Sequence, residues 1–213
     1  MMNDLKKRWE RLNSQNSASS TLVEAEWKQI HKHYTKRTRA YHNLSHLQAM
    51  FSEFDKYKDH LSDSDVVAYS IYFHDLVYNV LKQNNELKSA EKARFYLIKI
   101  AFETKRVGEC YEQIVSTKSH DKSNSVIHEL DNAFLLDFDL QVLGRSWPEY
   151  QVYTEQIRKE YSIYPAGIYK RGRRDAMIQF LDRERIYSTK IFRDQFEEQA
   201  RSNIEQEIKL LSS

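Results

Sequence analysis

The chain has 213 residues with a formal net charge of +2, is 30% charged and 40% hydrophobic, and contains 4 Gly, 2 Pro and a single cysteine. That length suits one sizeable core, while so little Gly and Pro excludes a turn-rich sandwich or barrel and leaves no Gly-rich phosphate loop. The small net charge supplies no global field to draw in nucleic acid or membrane, and the lone Cys110 excludes an internal disulfide framework and a Cys-rich zinc site.

Apolar residues recur at helical spacing along almost the whole chain. The opening Met1-Met2-Asn3-Asp4-Leu5-Lys6-Lys7-Arg8 has no apolar stretch behind it, so the expectation is a cytoplasmic chain without signal peptide or transmembrane span. A first helix is expected over 4–12, ending in a polar run over 13–20. Thr21 with Glu24 three residues on forms a capping-box pattern for a second helix over 22–34. After a loop at Lys36-Arg37-Thr38-Arg39, a third helix carries His42 or His46 through to about residue 58.

Ser62 or Asp63 caps the next helix, which reads on through Phe73-His74-Asp75-Leu76-Val77-Tyr78 to a polar break over 81–85. Helices are then expected over 86–104 and about 109–118, with a loop at His120-Asp121-Lys122-Ser123-Asn124. The segment 126–143 is helical and ends at Gly144, read as a C′ glycine. Trp147-Pro148 opens a helix to about 161, with Pro near its first position. Pro165 and Gly167 mark a loop before two last helices, about 170–182 and 189–211. With no strand pattern and no repeat, the reading is a single all-α domain over 1–213 of about nine or ten helices.

The pair His74-Asp75 stands out within this pattern. Val67, Ile71, His74 and Tyr78 share one helical face, and Asp75 lies about 100° further round. A buried imidazole beside a carboxylate is costly unless something pairs with both, and a divalent cation would. His42 and His46 share a face if their helix begins early enough, above Leu47, Met50, Phe51 and Phe54. Asp137 and Asp139 both sit in the apolar run Phe134-Leu135-Leu136-Asp137-Phe138-Asp139-Leu140, and a carboxylate in such surroundings flags a functional site. His31, His33, His60 and His128 read as surface residues. Arg37, Arg39, Arg171, Arg173 and Arg174 offer forks for phosphate oxygens, Arg39 foremost for its place beside His42. No Glu-x-x-His pair supports a ferritin-like di-iron bundle, and no His-Glu-x-x-His protease motif occurs.

In order, Arg39-Ala40-Tyr41-His42-Asn43-Leu44-Ser45-His46-Leu47, Phe73-His74-Asp75-Leu76-Val77-Tyr78, Asn85-Glu86-Leu87-Lys88-Ser89-Ala90, Thr117-Lys118-Ser119-His120 and Leu136-Asp137-Phe138-Asp139-Leu140-Gln141-Val142-Leu143-Gly144 resemble the HD superfamily. The closest likeness is to the branch described as predicted metal-dependent HD-superfamily phosphohydrolases. Ala200-Arg201-Ser202-Asn203 also looks like that branch, and the resemblance spans about residues 37 to 205.

The resemblance implies an HD-type helical bundle, with a core over about 22–205 and metal ligands at His46, His74, Asp75 and Asp139. His42 and Asp137 are the fallbacks. The mixed N/O set suits Mn, Fe, Co, Ni or Zn, with Mg also open, and does not choose among them. The implied activity is metal-dependent hydrolysis of a phosphate ester, a nucleotide or related small molecule. Asp75 would orient the attacking water, and His42, His120 and Arg39 would steady the phosphate. Some relatives carry a Glu at the position of Tyr78, so the general base is unassigned, with Glu86 a stand-in. The alternatives are a regulatory module that binds a nucleotide without turnover, or an HD-type di-iron oxygenase, which Leu76 after Asp75 disfavours. The expected partner is a phosphorylated small molecule, with no nucleic acid and no membrane; homo-oligomerisation is left open.

Overall fold

The computed structural model describes residues 2–16, 18–120 and 127–212. Among them are ten α-helices and no strand: α1 (Met2–Gln15), α2 (Ser20–Tyr34), α3 (Leu44–Tyr57), α4 (Ser64–Phe73), α5 (Asn85–Lys99), α6 (Thr104–Ser116), α7 (Glu129–Leu140), α8 (Trp147–Glu160), α9 (Ala166–Leu181) and α10 (Lys190–Ser212). The fold is all-α, as the periodicity predicts. The expected loop at Asp121-Lys122-Ser123-Asn124 lies outside the described residues, and the start of the helix expected from 126 lies there too. No helix among the described residues is long and apolar enough to cross a membrane.

The chain divides into two compact units, Met1–Phe138 and Asp139–Ser213. The first is organised around α4, in which every residue from Val66 to Phe73 is buried. Trp9 of α1, fully buried, meets Tyr72 at 5.0 Å, Tyr96 at 5.1 Å and Tyr69 at 5.9 Å between ring centroids. Its indole N–H donates to the Val23 carbonyl, and the Tyr72 hydroxyl donates to that of Leu5. Buried Asn13 accepts from the hydroxyls of Tyr69 and Tyr96. Aromatic side chains pack best where the body is buried and the polar tip finds a partner. Thus α1, which precedes the span of the resemblance, supplies part of the floor beneath α4.

Local signals set most helix starts. Asn43 caps α3 by accepting from Ser45 N–H, and Asp63 caps α4 by accepting from Val66 N–H. The cap of α2 is Ser19, accepting from Leu22 N–H, rather than Thr21 as the capping-box pattern suggests. Helix α6 begins five residues before its expected start, and α9 begins directly after Pro165, four residues early.

In the second unit a capping box of Ser146 and Glu149 opens α8, with Pro148 in its first turn. Gly144 is the last residue of the short 3-10 turn Gln141–Gly144 after α7. Its φ is not positive, so its role is not that of a C′ glycine. A Cβ there would lie 2.5 Å from the Cβ of Phe196 and 2.9 Å from the Phe196 carbonyl; only a residue without a side chain admits α10 so closely. Asn203 of α10 donates to the carbonyls of Leu143 and Arg145 at 2.8 and 2.7 Å. Arg201 donates to the carbonyls of Leu181, Arg183 and Glu184. The Ala200-Arg201-Ser202-Asn203 motif therefore ties α10 to neighbouring turns of its own unit.

Candidate metal centre

Two chain segments of the first unit bring the histidines together. In the first, residues 39–43 turn tightly into α3. Asn43 N–H donates to the Tyr41 carbonyl at 2.7 Å, and the Asn43 carboxamide donates to that of Ala40 at 2.9 Å. His46 then sits in the first turn of α3, 4% exposed. His42 lies before the helix, so the two histidines do not share its face; the Tyr41 ring packs 4.9 Å from both imidazoles.

The second segment is the end of α4. The helix stops at Phe73 and does not run through to Tyr78. His74 is its C-terminal cap, its N–H making the last helical bond, to the Ser70 carbonyl at 2.8 Å. Beyond it, partners distant in sequence satisfy the backbone. Ser89 accepts from Val77 N–H and donates to the Val77 carbonyl. Asn85 accepts from Asn79 N–H and donates to the Asn79 carbonyl. Arg39 donates to the carbonyls of Asp75 and Leu76 at 2.7 and 3.0 Å. These side chains replace the helical acceptors and donors that the apolar run would otherwise have used.

Three side chains converge at this corner: ligand atoms of His46, His74 and Asp75 all lie within 4.8 Å of one another. His46 Nε2 is 3.2 Å from His74 Nε2, and His74 Nε2 is 3.3 Å from Asp75 Oδ2. His74 Nδ1 lies 2.9 Å from the Ile71 carbonyl oxygen. A carbonyl only accepts, so Nδ1 carries the proton, and a neutral His74 presents a lone pair at Nε2. That lone pair faces the Asp75 carboxylate and the His46 nitrogen. Such a cluster is held by shared protons or by a cation, and its composition, two imidazole nitrogens and a carboxylate oxygen, fits a divalent transition metal. His74 is 1% exposed, whereas the side chains of Asp75 and His42 are 14% and 20% exposed. The open side of the cluster is therefore the Asp75–His42 side.

His42 joins as a neighbour, its Nε2 3.8 Å from Asp75 Oδ2. Its ring stacks on Tyr78 at 4.3 Å between centroids. His120 ends the turn after α6 with φ 51° and is not one of the three converging residues. Asp137 is fully buried on α7. Asp139 belongs to the second unit, where it is half-buried at the end of α7 and adds to the effects, burial first, that push the Tyr153 hydroxyl up. Glu86 stands half-buried in the first turn of α5, where a carboxylate complements the helix dipole.

The arginines divide by burial. Arg37 and Arg171 are exposed, and Arg174 is half-buried beside Asp175. Arg173 is neither a solvated helix end nor a phosphate grip: it forks onto Glu207 at 2.8 and 3.1 Å and donates to the Tyr153 hydroxyl. Arg39 is 5% exposed, and besides Asp75 and Leu76 it donates to the His42 carbonyl at 3.1 Å. Of the four other histidines only His60 is exposed; His31, His33 and His128 are half-buried. Burial, with the charges of Lys36 and Arg39 behind it, holds the His33 imidazole below its usual pKa despite a hydrogen bond to the Leu76 backbone.

The sequence reading missed the task of Arg39 and the contribution of Tyr78. The available signals were an Arg three residues before His42 and an aromatic residue three after Asp75, and neither spacing reveals a tertiary contact. Comparison with protein-family models, with curated proteins and with solved structures returns no match.

Proposed function

We propose that the chain is a metal-dependent phosphohydrolase acting on a small phosphate ester, a nucleotide or a related molecule. The observation that carries this reading is the convergence of His46, His74 and Asp75 ligand atoms within 4.8 Å, with the His74 tautomer set by the Ile71 carbonyl. The order of motifs resembling the HD superfamily supports it.

On this reading His46 and His74 would hold the ion through Nε2 and Asp75 through a carboxylate oxygen. When bound, the ion supplies Lewis-acid polarisation of the phosphoryl group and makes water a better nucleophile near neutral pH. The protein does the rest. Asp75, on the open side, accepts a hydrogen bond from the attacking water and orients it. His42, 3.8 Å from Asp75 and stacked on Tyr78, donates to a phosphate oxygen and relays a proton. The buried imidazoles exclude bulk water from the inner wall.

One observation favours a second reading. The residue stacked on His42 is Tyr78, where a Glu would provide a general base, so the same cluster would also serve a regulatory module that binds a nucleotide without turnover. Phosphate release from a nucleotide panel with added Mn²⁺ separates the two. The enzyme reading requires turnover that is abolished in His74→Ala and Asp75→Asn; tight nucleotide binding with no turnover in the wild type sinks it.

A further inference from the structure

We infer that Arg39 is a positioning residue for this metal centre and makes no contact with substrate phosphate; the inference rests on the metal-centre reading above. Its guanidinium bonds to three backbone carbonyls that belong to the two segments supplying the cluster. Nη1 donates to the His42 carbonyl at 3.1 Å and to the Asp75 carbonyl at 2.7 Å, and Nη2 donates to that of Leu76 at 3.0 Å. One planar group thereby fixes the turn leading to His46 against the corner bearing Asp75.

The plane is itself held. The guanidinium carbon lies 4.9 Å from the centre of the Tyr34 ring and 5.4 Å from that of Tyr78. Tyr78 stacks on His42, so a run of Tyr34, Arg39, Tyr78 and His42 reaches from α2 to the open side of the cluster. Cation–π contacts of this kind strengthen when the cation is desolvated, and Arg39 is only 5% exposed. Its Nε has no hydrogen-bond partner and is buried, so the one nitrogen not turned to a carbonyl is closed to a ligand oxygen.

The arrangement also keeps the chain from resuming a helix beyond His74. The carbonyls of Asp75 and Leu76 would accept helical bonds from residues four positions on. Bonded to Arg39 instead, they let the chain turn away after His74, which directs Asp75 back toward His74 Nε2. A cation at a helix C-terminus further complements the dipole. A lysine cannot reproduce this fork, because an ammonium is a point charge without a planar array of donors.

Cobalt(II) titration followed by visible absorption tests the inference, with far-UV circular dichroism and thermal unfolding confirming that each variant is folded. Arg39→Lys and Arg39→Met are expected to bind Co²⁺ about 10–100-fold more weakly, the scale for residues that orient ligands, with an altered d–d spectrum. In Arg39→Ala, millimolar guanidinium is expected to restore part of the wild-type spectrum. Arg39→Lys with wild-type Co²⁺ affinity and spectrum overturns the inference and leaves the metal centre standing. So does a variant that keeps both but fails to bind orthophosphate when loaded, because Arg39 would then contact phosphate. A wild-type protein that binds no Co²⁺ removes the metal centre and this inference together.

Discussion

At the N-terminal end of α4, Asp63 caps the helix and takes a two-pronged contact from Arg106 at 2.6 and 2.8 Å. Asp131, fully buried, accepts from the N–H groups of Ser62 and Asp63 at 2.8 and 2.7 Å. At the C-terminal end, Asp75 faces His74 at 3.3 Å while the nearby arginine turns to backbone carbonyls. The two ends of this helix are thus flanked by carboxylates of two kinds. Those at its start meet cations and N–H donors that the protein supplies, which is how polar groups are made to stabilise a fold. The one at its end faces imidazole nitrogens of His74 and His42, a set to which a metal cation could bind. That contrast, more than the presence of histidines, distinguishes a structural polar cluster from a candidate site.

The largest effect should come from the C-terminal end. His74→Ala is expected to abolish Mn²⁺-dependent phosphate release and to leave the metal-free protein folded. A large loss of metal-free stability would mean that this end, too, is structural.

Substitution at the N-terminal end should do the reverse. Asp63→Asn is expected to lower folding stability by ~1–3 kcal/mol, the range for charged hydrogen bonds partly open to water, with Co²⁺ affinity unchanged. Burial pushes the Asp63 carboxyl up, but the Arg106 contacts and the Val66 N–H together outweigh it, so its pKa is depressed in the folded protein. Its contribution is therefore present above the unfolded value of about 3.9 and is lost as pH falls through the lower folded value. Denaturant titrations at neutral pH and in acid should show the wild-type advantage over Asp63→Asn shrinking in that acid window.

Cys110 reports on the middle of α4, where Ser70 donates to Gln113 Oε1 at 2.8 Å and lies 3.4 Å from Cys110 Sγ. Burial pushes its thiol up to about 12, so alkylation at pH 8 should proceed only through opening of the helix pair α4 and α6. Asp63→Asn should accelerate alkylation and His74→Ala should not; equal acceleration by both would erase the distinction between the ends. The smallest effect serves as a control. Ala101 lies just past the Ile100 cap of α5 with φ 55°, while Phe102 N–H donates to the Leu97 carbonyl, a C-terminal turn suited to glycine. Ala101→Gly should stabilise by about 1 kcal/mol without altering metal binding.

Much of this was legible in the sequence where the cause is local. The caps Asn43 and Asp63, the Pro148 start of α8 and the unbroken apolar face of α4 follow from residues within a turn of where they act. The termination of α4 does not. Leu76, Val77 and Tyr78 continue its apolar pattern, and the chain leaves the helix because Arg39, Ser89 and Asn85 claim its backbone groups from outside. The carbonyl contacts of Arg39 are not legible for the same reason: its nearness to His42 suggests a phosphate grip, and nothing local reveals its burial between Tyr34 and Tyr78. Gly144 looked like a helix terminator, and the requirement is set instead by Phe196 on α10. The pairing of His46 with His74 was legible through the order of motifs, but the tautomer of His74 depends on the Ile71 carbonyl, which only the geometry reveals.

The most direct test of the account is calorimetric titration of the metal-stripped protein with Mn²⁺ at neutral pH, for the wild type and His74→Ala side by side. The account predicts saturable binding to the wild type that is lost in a folded His74→Ala protein. Wild-type protein that takes up no Mn²⁺, or His74→Ala protein that binds it equally well, would contradict it.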